Sequence, residues 1–471
     1  MSAITIDHPE HGANSKHLFG HPMGLYYLFG VEMWERFSYY GMRALLTLYL
    51  AAPLLGDNPG LGWDSERTLK FYGLYTMLVY LSTIPGGLIA DRLLGQKKTV
   101  LIGGLLLCIG HTVLAIEAMW AFYTGIVFII LGVGGLKSNI STMVGGLYRQ
   151  GDDRRDKGFY IFYIGINVGA FFGALVTGSL AVNYGWHWGF GAAGVGMFLG
   201  QIMYMMGQKH LKGVGDFEGA EDSVNKELLK KPLTKVEKDR MLVMFLSFLI
   251  VIVFWGAFEQ AGGLMNLYAE QKTNRALGFI DFTIPAAWFQ SVNAFFIMTL
   301  ATAVASFWYW WKKNGKESSS IFKMTIGVII MGVGFLFMSG ASLEYTETGS
   351  SAMYWLVLAY LFHTIGELCT SPVALSYITK LAPVKYASFM MGAYFAATGL
   401  GNYVAGWVGS YSEKAGEFEI FTGIFIFCTI FGILVLAILK PLKRLTHGAE
   451  DSSPEVAIED EGYSRADVAT E

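Results

Sequence analysis

Residues 24–50 read GLYYLFGVEMWERFSYYGMRALLTLYL, an otherwise apolar stretch that contains four charged side chains. In helical form, about 20 apolar residues cross a hydrocarbon core of roughly 30 Å. Eleven more apolar stretches follow, near 69–93, 99–118, 121–147, 158–182, 187–206, 241–268, 286–311, 321–341, 352–381, 386–410 and 420–440. The sequence therefore predicts an all-α integral membrane protein with twelve transmembrane helices.

The composition agrees with a membrane environment. Of the 471 residues, 53% are hydrophobic and 15% are charged, whereas a soluble domain is about 25% charged. Cys108, Cys369 and Cys428 all lie inside apolar stretches, and we expect them to be packed side chains without disulfides. The first 20 residues are polar and lack the apolar core of a secretory signal, so no cleaved signal is expected.

The order of the spans divides the chain into two groups of six. Residues 207–240 interrupt the apolar pattern with a high density of charge, which predicts a linker, and the acidic residues near the end predict a disordered tail. The predicted units are an N-terminal segment, a six-helix bundle, a linker, a second six-helix bundle and a tail, at 1–23, 24–206, 207–240, 241–440 and 441–471. This is the plan of the major facilitator fold, which binds substrate between its halves near mid-membrane.

The orientation follows from Lys and Arg in the short loops, because these residues are enriched on the cytoplasmic side. Loops after even-numbered spans are rich in them: Arg92, Lys97, Lys98, Arg149, Arg154, Arg155, Lys157, Lys312, Lys313, Lys316, Lys380 and Lys385. Loops after odd-numbered spans contain few, namely Arg67, Lys70, Lys272, Arg275 and Lys414. Both termini and the linker are therefore predicted to be cytoplasmic, in a multi-pass protein of the plasma membrane, with a bacterial inner membrane expected. No outward loop is large enough for a receptor ectodomain.

Charged residues within the spans predict function, since each costs on the order of 2.5–3.5 kcal/mol near mid-membrane. At about 100° per residue, six side chains of the first span fall within an arc of roughly 140°: Glu32, Glu35, Arg36, Tyr39, Tyr40 and Arg43. The other side of that helix is apolar. A static salt-bridge network between helices would explain some of these residues, but four charges on one face favour the lining of a cavity.

Three more charges are isolated in apolar sequence, namely Lys137 in the fourth span, Glu259 in the seventh and Glu367 in the tenth. The N-terminal group thus contributes Arg36, Arg43 and Lys137, while the C-terminal group contributes the two carboxylates. Opposite charges on opposite halves predict pairs that form when the cavity closes on one side. Burial disfavours the charged form of a carboxyl group, so these glutamates are candidate proton sites. Basic and acidic groups in one cavity suit a zwitterion.

Other polar residues in the spans give a weaker signal. Asn167 and Asn293 fit a bond to a substrate amide as well as a bond between helices, and the sequence leaves both open. His111 and His363 are predicted to be packed core histidines rather than proton relays. Pro372 is predicted to kink the tenth helix near Glu367.

The sequence lacks the motifs of soluble enzymes. It contains no phosphate-binding GxxxxGK[ST], no HExxH and no cysteine cluster with metal spacing. We therefore expect no catalytic residue, no metal site, no enzymatic activity and no nucleic-acid partner.

Residues 32–43, EMWERFSYYGMR, resemble the ExxERFxYYG signature of the proton-dependent oligopeptide transporter family of the major facilitator superfamily. Four other stretches are similar to its motifs. GGLIADRLLG at 86–95 is similar to the loop motif of the superfamily, and FYIFYIGINVGAFFG at 159–173 is similar to the FYxxINxG signature. FWGAFEQAGG and GELCTSPVALS resemble the motifs of the seventh and tenth spans.

The resemblance implies inward symport of di- and tripeptides with protons. It implies an outer gate formed by Arg43 with Glu259 and an inner pair formed by Lys137 with Glu367. It assigns proton coupling to Glu32, Glu35, Arg36, Glu259 and Glu367. The implied substrate-binding residues are Arg36, Tyr39, Tyr40, Tyr80, Lys137, Asn167, Trp255, Asn293, Glu367, Ser371 and Tyr394. The family usually has Trp at the position of Tyr394, so the preference for peptide side chains stays open.

The expected partners are di- and tripeptides, protons and membrane lipid, and the expected state is a monomer. Protons are the coupling ion, and no cofactor is expected. Two alternatives stay open: a relative that carries nitrate or another non-peptide solute, and a peptide sensor on the same fold that does not transport.

Overall fold

The computed structural model describes residues 17–149, 152, 154–217, 232–383 and 386–450. Residues 1–16, the central part of the predicted linker at 218–231, and residues 451–471 of the predicted tail lie outside the described residues. The first part of that tail, 441–450, is described, and a short helix over Leu439–Arg444 extends into it. The predicted division into five units therefore stays a prediction.

Nearly all of the described chain is helical. Before the linker, the helices are α1 Met23–Ala51, α2 Ser65–Leu81, α3 Thr83–Ile89, α4 Gly95–Leu114, α5 Met119–Gly146, α6 Arg154–Tyr184 and α7 Trp186–Gly207. After it, they are α8 Lys235–Phe258, α9 Leu264–Gln271, α10 Gln290–Lys313, α11 Ser320–Thr348, α12 Met353–Leu381, α13 Ala387–Ser410, α14 Ser412–Ala415, α15 Glu417–Ala437 and α16 Leu439–Arg444. Two pairs of two-residue strands accompany them, β1 His17–Leu18 with β2 His21–Pro22, and β3 Thr273–Asn274 with β4 Ser351–Ala352.

Nine helical segments of the described chain are long and apolar enough to cross a membrane. One of them, Ser65–Leu114, is 50 residues long and contains two of the predicted spans. Two other long helices fall outside the nine: α1, which carries four charged residues, and α13, whose glycines and tyrosines lower its hydropathy. The segment from α2 to α4 bends through a π-helical turn at Ala90–Leu94.

Two of the predicted spans depart from a single straight helix. The predicted second span, 69–93, is divided at Ser82 into α2 and α3. The predicted seventh span, 241–268, is interrupted by a 3₁₀ turn over Glu259–Ala261, after which α9 begins at Leu264. The glycines Gly262 and Gly263 follow that turn, and helix interruptions of this kind are tolerated where neighbouring protein satisfies the backbone. The interruption places Glu259 at the end of α8.

The helical bundle has two ends, a linker end and a loop end. The linker end is where α1 begins and where residues 208–217 lie, and the loop end is where residues 52–64 follow α1. Helices α1–α7 form one group, in which α1 packs on α6 and α7, and α4 packs on α5. Helices α8–α16 form the other, in which α11 packs on α12 and α15.

The most extensive contact between the groups is that of α2 and α13. It is made through glycines: a Cβ added to Gly73 would lie 2.9 Å from Gly406 Cα, and one added to Gly399 would lie 3.1 Å from the Met77 carbonyl oxygen. Small residues allow helix backbones to approach this closely within a membrane.

Polar contacts between the groups lie toward the loop end. Asn266 Nδ2 donates to the Ala44 carbonyl at 2.9 Å, and Ser65 N–H donates to Glu413 Oε1 at 2.7 Å. Contacts of the same kind are made by Thr47 with Gly262, by Trp288 with Leu175, by Ser291 with Phe171 and by Lys414 with Glu66. The two groups are therefore joined at the loop end.

Candidate functional site

The predicted polar face of α1 is turned into the protein. Glu32, Glu35 and Arg36 are 3%, 1% and 4% exposed. Arg36 Nε donates to Glu32 Oε1 at 2.9 Å and lies 2.6 Å from Glu35 Oε2. One guanidinium thus stands between two buried carboxylates, and the charges of this triad do not cancel.

The triad also leaves carboxylate oxygens unsatisfied. Within the described chain, Glu32 Oε2 and Glu35 Oε1 are buried and have no hydrogen-bond donor. A buried acceptor without a donor costs free energy, and more when it is charged. A proton bound to either carboxyl group would remove that charge and supply a donor.

A second cluster joins the two groups of helices near the loop end. Arg43 Nη2 lies 3.0 Å from Glu259 Oε2, so the two residues predicted to form the outer gate make an ion pair. Tyr72, on α2, lies between them: its hydroxyl accepts from Arg43 Nε at 2.6 Å and donates to Glu259 Oε2 at 2.8 Å. All three side chains are buried. The gating role of the pair stays a prediction.

The predicted inner pair, Lys137 with Glu367, is not formed in this conformation, and its gating role stays a prediction. Lys137 Nζ instead lies 3.7 Å from the centre of the Tyr80 ring. Glu367 Oε2 accepts from Asn293 Nδ2 at 2.8 Å, and the same amide donates to Thr364 at 3.0 Å. Each residue instead contacts a partner in its own group of helices, and the ion pair that joins the two groups is that of Arg43 with Glu259.

Lys137, Tyr80, Glu367 and Asn293 are only half-buried although they lie within long helices. Their exposure indicates that they border a space between the two groups. Lys137 and Tyr80 come from the first group, and Glu367 and Asn293 from the second. A basic wall and an acidic wall therefore face the same space.

The two predicted tyrosines of α1 pack beside the arginines. The rings of Tyr39 and Tyr40 are 5.3 Å apart and nearly perpendicular. The guanidinium of Arg36 lies 5.7 Å from the Tyr39 ring, and that of Arg43 lies 5.5 Å from the Tyr40 ring. Such cation–π contacts help to hold an arginine in a buried position.

The remaining predicted binding residues are distributed around this region. Asn167 is 4% exposed, and its Nδ2 donates to the Tyr163 carbonyl of its own helix at 3.0 Å. Trp255 and Ser371 are half-buried. Tyr394 is 5% exposed, with its ring 5.7 Å from that of Phe395. Their roles in binding stay predictions.

The two histidines lie in packed protein, away from these clusters. His111 is fully buried and His363 is 1% exposed, with its ring 4.5 Å from that of Phe335. Within the described ranges, no group of three or more His, Cys, Asp or Glu side chains is arranged to hold a metal ion.

Comparison with known proteins places this geometry in a family. Residues 97–231 and 220–422 match the sequence profile PTR2, described as the POT family. The peptide transporter YePEPT of Yersinia enterocolitica is 34% identical over 498 residues, which cover 92% of this chain and 96% of the relative. A di-/tripeptide transporter of Lactococcus lactis is 34% identical over 486 residues, with 91% and 97% covered.

Solved structures are similar over the same length. A crystal structure of peptide transporter POT in complex with sulfate is 32% identical, with a TM-score of 0.84, and the match covers 92% of this chain and 97% of that one. A POT family transporter in complex with 5-aminolevulinic acid is 28% identical, with a TM-score of 0.83 and coverage of 91% and 98%.

These similarities confirm the predicted fold class, an all-α membrane protein of the major facilitator type. They also confirm a multi-pass membrane protein and a transporter rather than an enzyme. The resemblance carried by EMWERFSYYGMR is confirmed over nearly the whole chain. The chain belongs to the POT family, the proton-dependent oligopeptide transporters.

Proposed function

We propose that the protein is a symporter that imports di- and tripeptides together with protons by alternating access. The observation that carries the proposal is the pair of opposed walls, with Lys137 and Tyr80 on one side and Glu367 and Asn293 on the other. The names of the similar transporters from Yersinia enterocolitica and Lactococcus lactis support peptides as the substrate class.

Recognition of a peptide follows from these walls. A zwitterionic peptide carries a carboxylate at one end and an ammonium group at the other. Lys137, which makes no ion pair with a described residue, is free to bind the carboxylate, and Glu367 is free to bind the ammonium group. Charge-assisted hydrogen bonds of this kind are roughly twice as strong as neutral ones. Because the bonds are made to the termini, they do not depend on the peptide's side chains.

Proton coupling follows from the charge balance of the cavity. Its carboxylates are Glu32, Glu35, Glu259 and Glu367, and its cations are Arg36, Arg43 and Lys137. Four negative and three positive groups leave an excess of one negative charge. Uptake of one proton by this set removes the excess, and the unpaired oxygens of Glu32 and Glu35 support these two residues as the acceptors.

Alternating access is supported by the contacts at the loop end. If the linker end is cytoplasmic, as the Lys and Arg distribution predicts, the described conformation is closed to the outside by Arg43, Tyr72 and Glu259. Lys137 and Glu367 then border a space that faces the cytoplasm. Their pairing in the opposite conformation would close the inner side. The protein itself is proposed to act as a monomer in a bacterial inner membrane, without a cofactor.

The test is transport by the purified protein in proteoliposomes. We expect an imposed pH gradient, acidic outside, to drive accumulation of labelled dialanine, and expect a proton ionophore to abolish accumulation while exchange persists. Lys137→Ala should raise the concentration needed for half-maximal uptake, whereas Lys98→Ala, at an exposed position of α4, should not. Uptake that ignores the pH gradient would contradict symport.

A second candidate is transport of a non-peptide zwitterion, favoured by the similar POT family transporter in complex with 5-aminolevulinic acid. Competition decides between the two: we expect di- and tripeptides to inhibit labelled uptake more strongly than 5-aminolevulinic acid or nitrate. Saturable binding of peptides without transport across the membrane would instead indicate a peptide sensor on the same fold.

A further inference from the structure

A groove lies on the outer surface of the bundle at the loop end, along the line where α2 meets α13. Its volume is about 770 Å³, and its walls come from both groups of helices. Phe71 and Leu74 contribute from α2, and Tyr403 and Trp407 contribute from α13. We call it the seam groove.

The seam groove is charged at the membrane surface and apolar deeper in the bilayer. Along α2 the lining changes from Arg67 and Lys70 near the start of the helix to Phe71 and Leu74 one turn further in. Leu74, Tyr403 and Trp407 are 41%, 42% and 51% exposed. This order of polarity matches an amphiphile that lies along the membrane normal.

Arg67 is the polar group of the groove that is available for a ligand. Its side chain is exposed, and its guanidinium lies 3.9 Å from the centre of the Trp63 ring, which holds it in place. No carboxylate of the described residues lies within ion-pair distance of it. The neighbouring Glu66, in contrast, already binds both Lys70 at 2.5 Å and Lys414 at 2.9 Å.

The distribution of basic residues points to the same place. Loops after odd-numbered spans contain only five Lys and Arg residues, and three of them, Arg67, Lys70 and Lys414, are at this groove. Asp64 and Glu66 stand beside them, and Asp64 Oδ1 is occupied as the cap of α2, accepting from Arg67 N–H at 2.6 Å. The rim therefore offers the guanidinium of Arg67 to an anion, and Lys70, although it binds Glu66, keeps further N–H donors beside it.

We propose that the seam groove binds one membrane phospholipid, with its phosphate on Arg67 and Lys70 and one acyl chain along Phe71, Leu74 and Trp407. Phosphate matches the guanidinium fork, which donates two parallel hydrogen bonds. The apolar lower wall selects a lipid over a soluble phosphate. The binding does not depend on which face of the membrane the loop end occupies, because both leaflets contain phospholipid.

The lipid would also favour one conformation. The two walls of the groove belong to different groups of helices, which meet through Gly73 and Gly406 beside it. Separation of the groups at the loop end would divide the groove and remove its α13 wall, formed by Tyr403 and Trp407, from the acyl chain. A ligand that binds one conformation better shifts the equilibrium toward it by its difference in affinity. Bound phospholipid should therefore stabilise the state that is closed at the loop end.

The first experiment measures phospholipid retention by native mass spectrometry. The full chain is purified in a sugar-based detergent that contains no phosphate and is then titrated with phosphatidylethanolamine. We expect one retained lipid, and expect Arg67→Gln to bind about tenfold more weakly, a loss of about 1.4 kcal/mol. Lys98→Gln is the matched control, because Lys98 is also exposed and makes no ion pair with a described residue. Equal retention by the two variants would overturn the proposal.

The second experiment measures the conformation by the distance between spin labels at Leu55 and Phe279, which are 88% and 81% exposed at the loop end of the two groups. The native cysteines are replaced by serine. We expect phosphatidylethanolamine to increase the population with the short distance in the parent and in Lys98→Gln, but not in Arg67→Gln. The same shift in all three, or a shift caused by soluble glycerophosphoethanolamine alone, would refute a lipid site at Arg67.

Discussion

Tyr72 connects Arg43 to Glu259, the two residues of the predicted outer gate, and its replacement by phenylalanine tests that prediction. The substitution removes only the hydroxyl, which accepts from Arg43 Nε at 2.6 Å and donates to Glu259 Oε2 at 2.8 Å. Arg43 and Tyr72 belong to the same group of helices, so the loss of their bond affects the open and closed states alike. The bond to Glu259 crosses between the groups and would be lost if the groups separated at the loop end.

The magnitude follows from that one bond. A hydrogen bond to a charged group contributes about 1.5–3 kcal/mol, which corresponds to roughly a 10- to 150-fold change in an equilibrium constant. The ion pair between Arg43 Nη2 and Glu259 Oε2, at 3.0 Å, is retained. We therefore expect Tyr72→Phe to shift the equilibrium at the loop end toward the open state by at least about tenfold.

The assay is the distance distribution between spin labels at Leu55 and Phe279, measured in liposomes without substrate. Tyr75→Phe is the matched control: Tyr75 lies on the same helix, is 1% exposed, and its buried hydroxyl has no hydrogen-bond partner within the described chain. It should leave the distribution unchanged. The reasoning is refuted if Tyr72→Phe matches the parent, or if both variants shift equally, since packing and not the hydrogen bond would then be responsible.

Glu32→Gln should abolish proton-driven accumulation of dialanine and retain exchange, whereas the exposed Glu117→Gln should behave as the parent; uphill uptake at the parent rate by Glu32→Gln would remove Glu32 from coupling. Glu367→Gln should weaken binding of free peptides about tenfold, since a charge-assisted bond is lost, and leave N-acetylated peptides unchanged; an equal loss for both in competition assays would contradict the assignment. At the linker end, burial alone would raise the pKa of Glu317, but hydrogen bonds from Lys443 and Ser319 hold that pKa at about 2, below the usual 4.5. Because the pKa of Glu317 is lower in the folded than in the unfolded protein, the carboxylate stabilises the fold at pH values above its unfolded pKa, and this stabilisation is lost as the pH falls toward 2. Glu317→Gln should therefore lower Tm at pH 7 and have little effect near pH 2. An equal change of Tm at pH 7 and at pH 2 would contradict this prediction.

Features that follow from the free-energy cost of placing charge in a membrane could be predicted from the sequence. Charged residues in an apolar span are expensive unless they face the interior, so the buried face of α1 with Glu32, Glu35 and Arg36 could be expected from spacing alone. Hydropathy does not identify α1 as one of the nine membrane-spanning segments of the described chain, because the four charges that define the site also lower its mean hydropathy.

Features that depend on how neighbouring helices pack could not be predicted in this way. Tyr72 was not recognised, because a tyrosine in an apolar span is ordinary and only its position between Arg43 and Glu259 gives it a role. A signal was present in the three tyrosines of FYGLYTMLVY, Tyr72, Tyr75 and Tyr80, but sequence alone does not distinguish the bonded hydroxyl of Tyr72 from the unbonded one of Tyr75.

The pair predicted between Lys137 and Glu367 shows a different limit. A transporter has more than one conformation. The pattern of charges in the sequence indicates which ion pairs can form, but it does not indicate which of them form in the same conformation. Here the structure contains the pair at the loop end and leaves the other two residues with Tyr80 and Asn293. The sequence also did not indicate that the seventh span is interrupted at Glu259.

The contact of Gly73 with Gly406 has a mechanical consequence. Interdigitated side chains must withdraw from one another before two helices can change their angle, and that withdrawal adds to the barrier. Where backbone meets backbone, as it does between α2 and α13, the surfaces are smooth and allow rolling with little resistance. The speed of opening would then be set by the few polar bonds at the loop end. A methyl group at residue 73 would lie 2.9 Å from Gly406 Cα, so it would push the two helices apart and destabilise this contact without touching any charged residue.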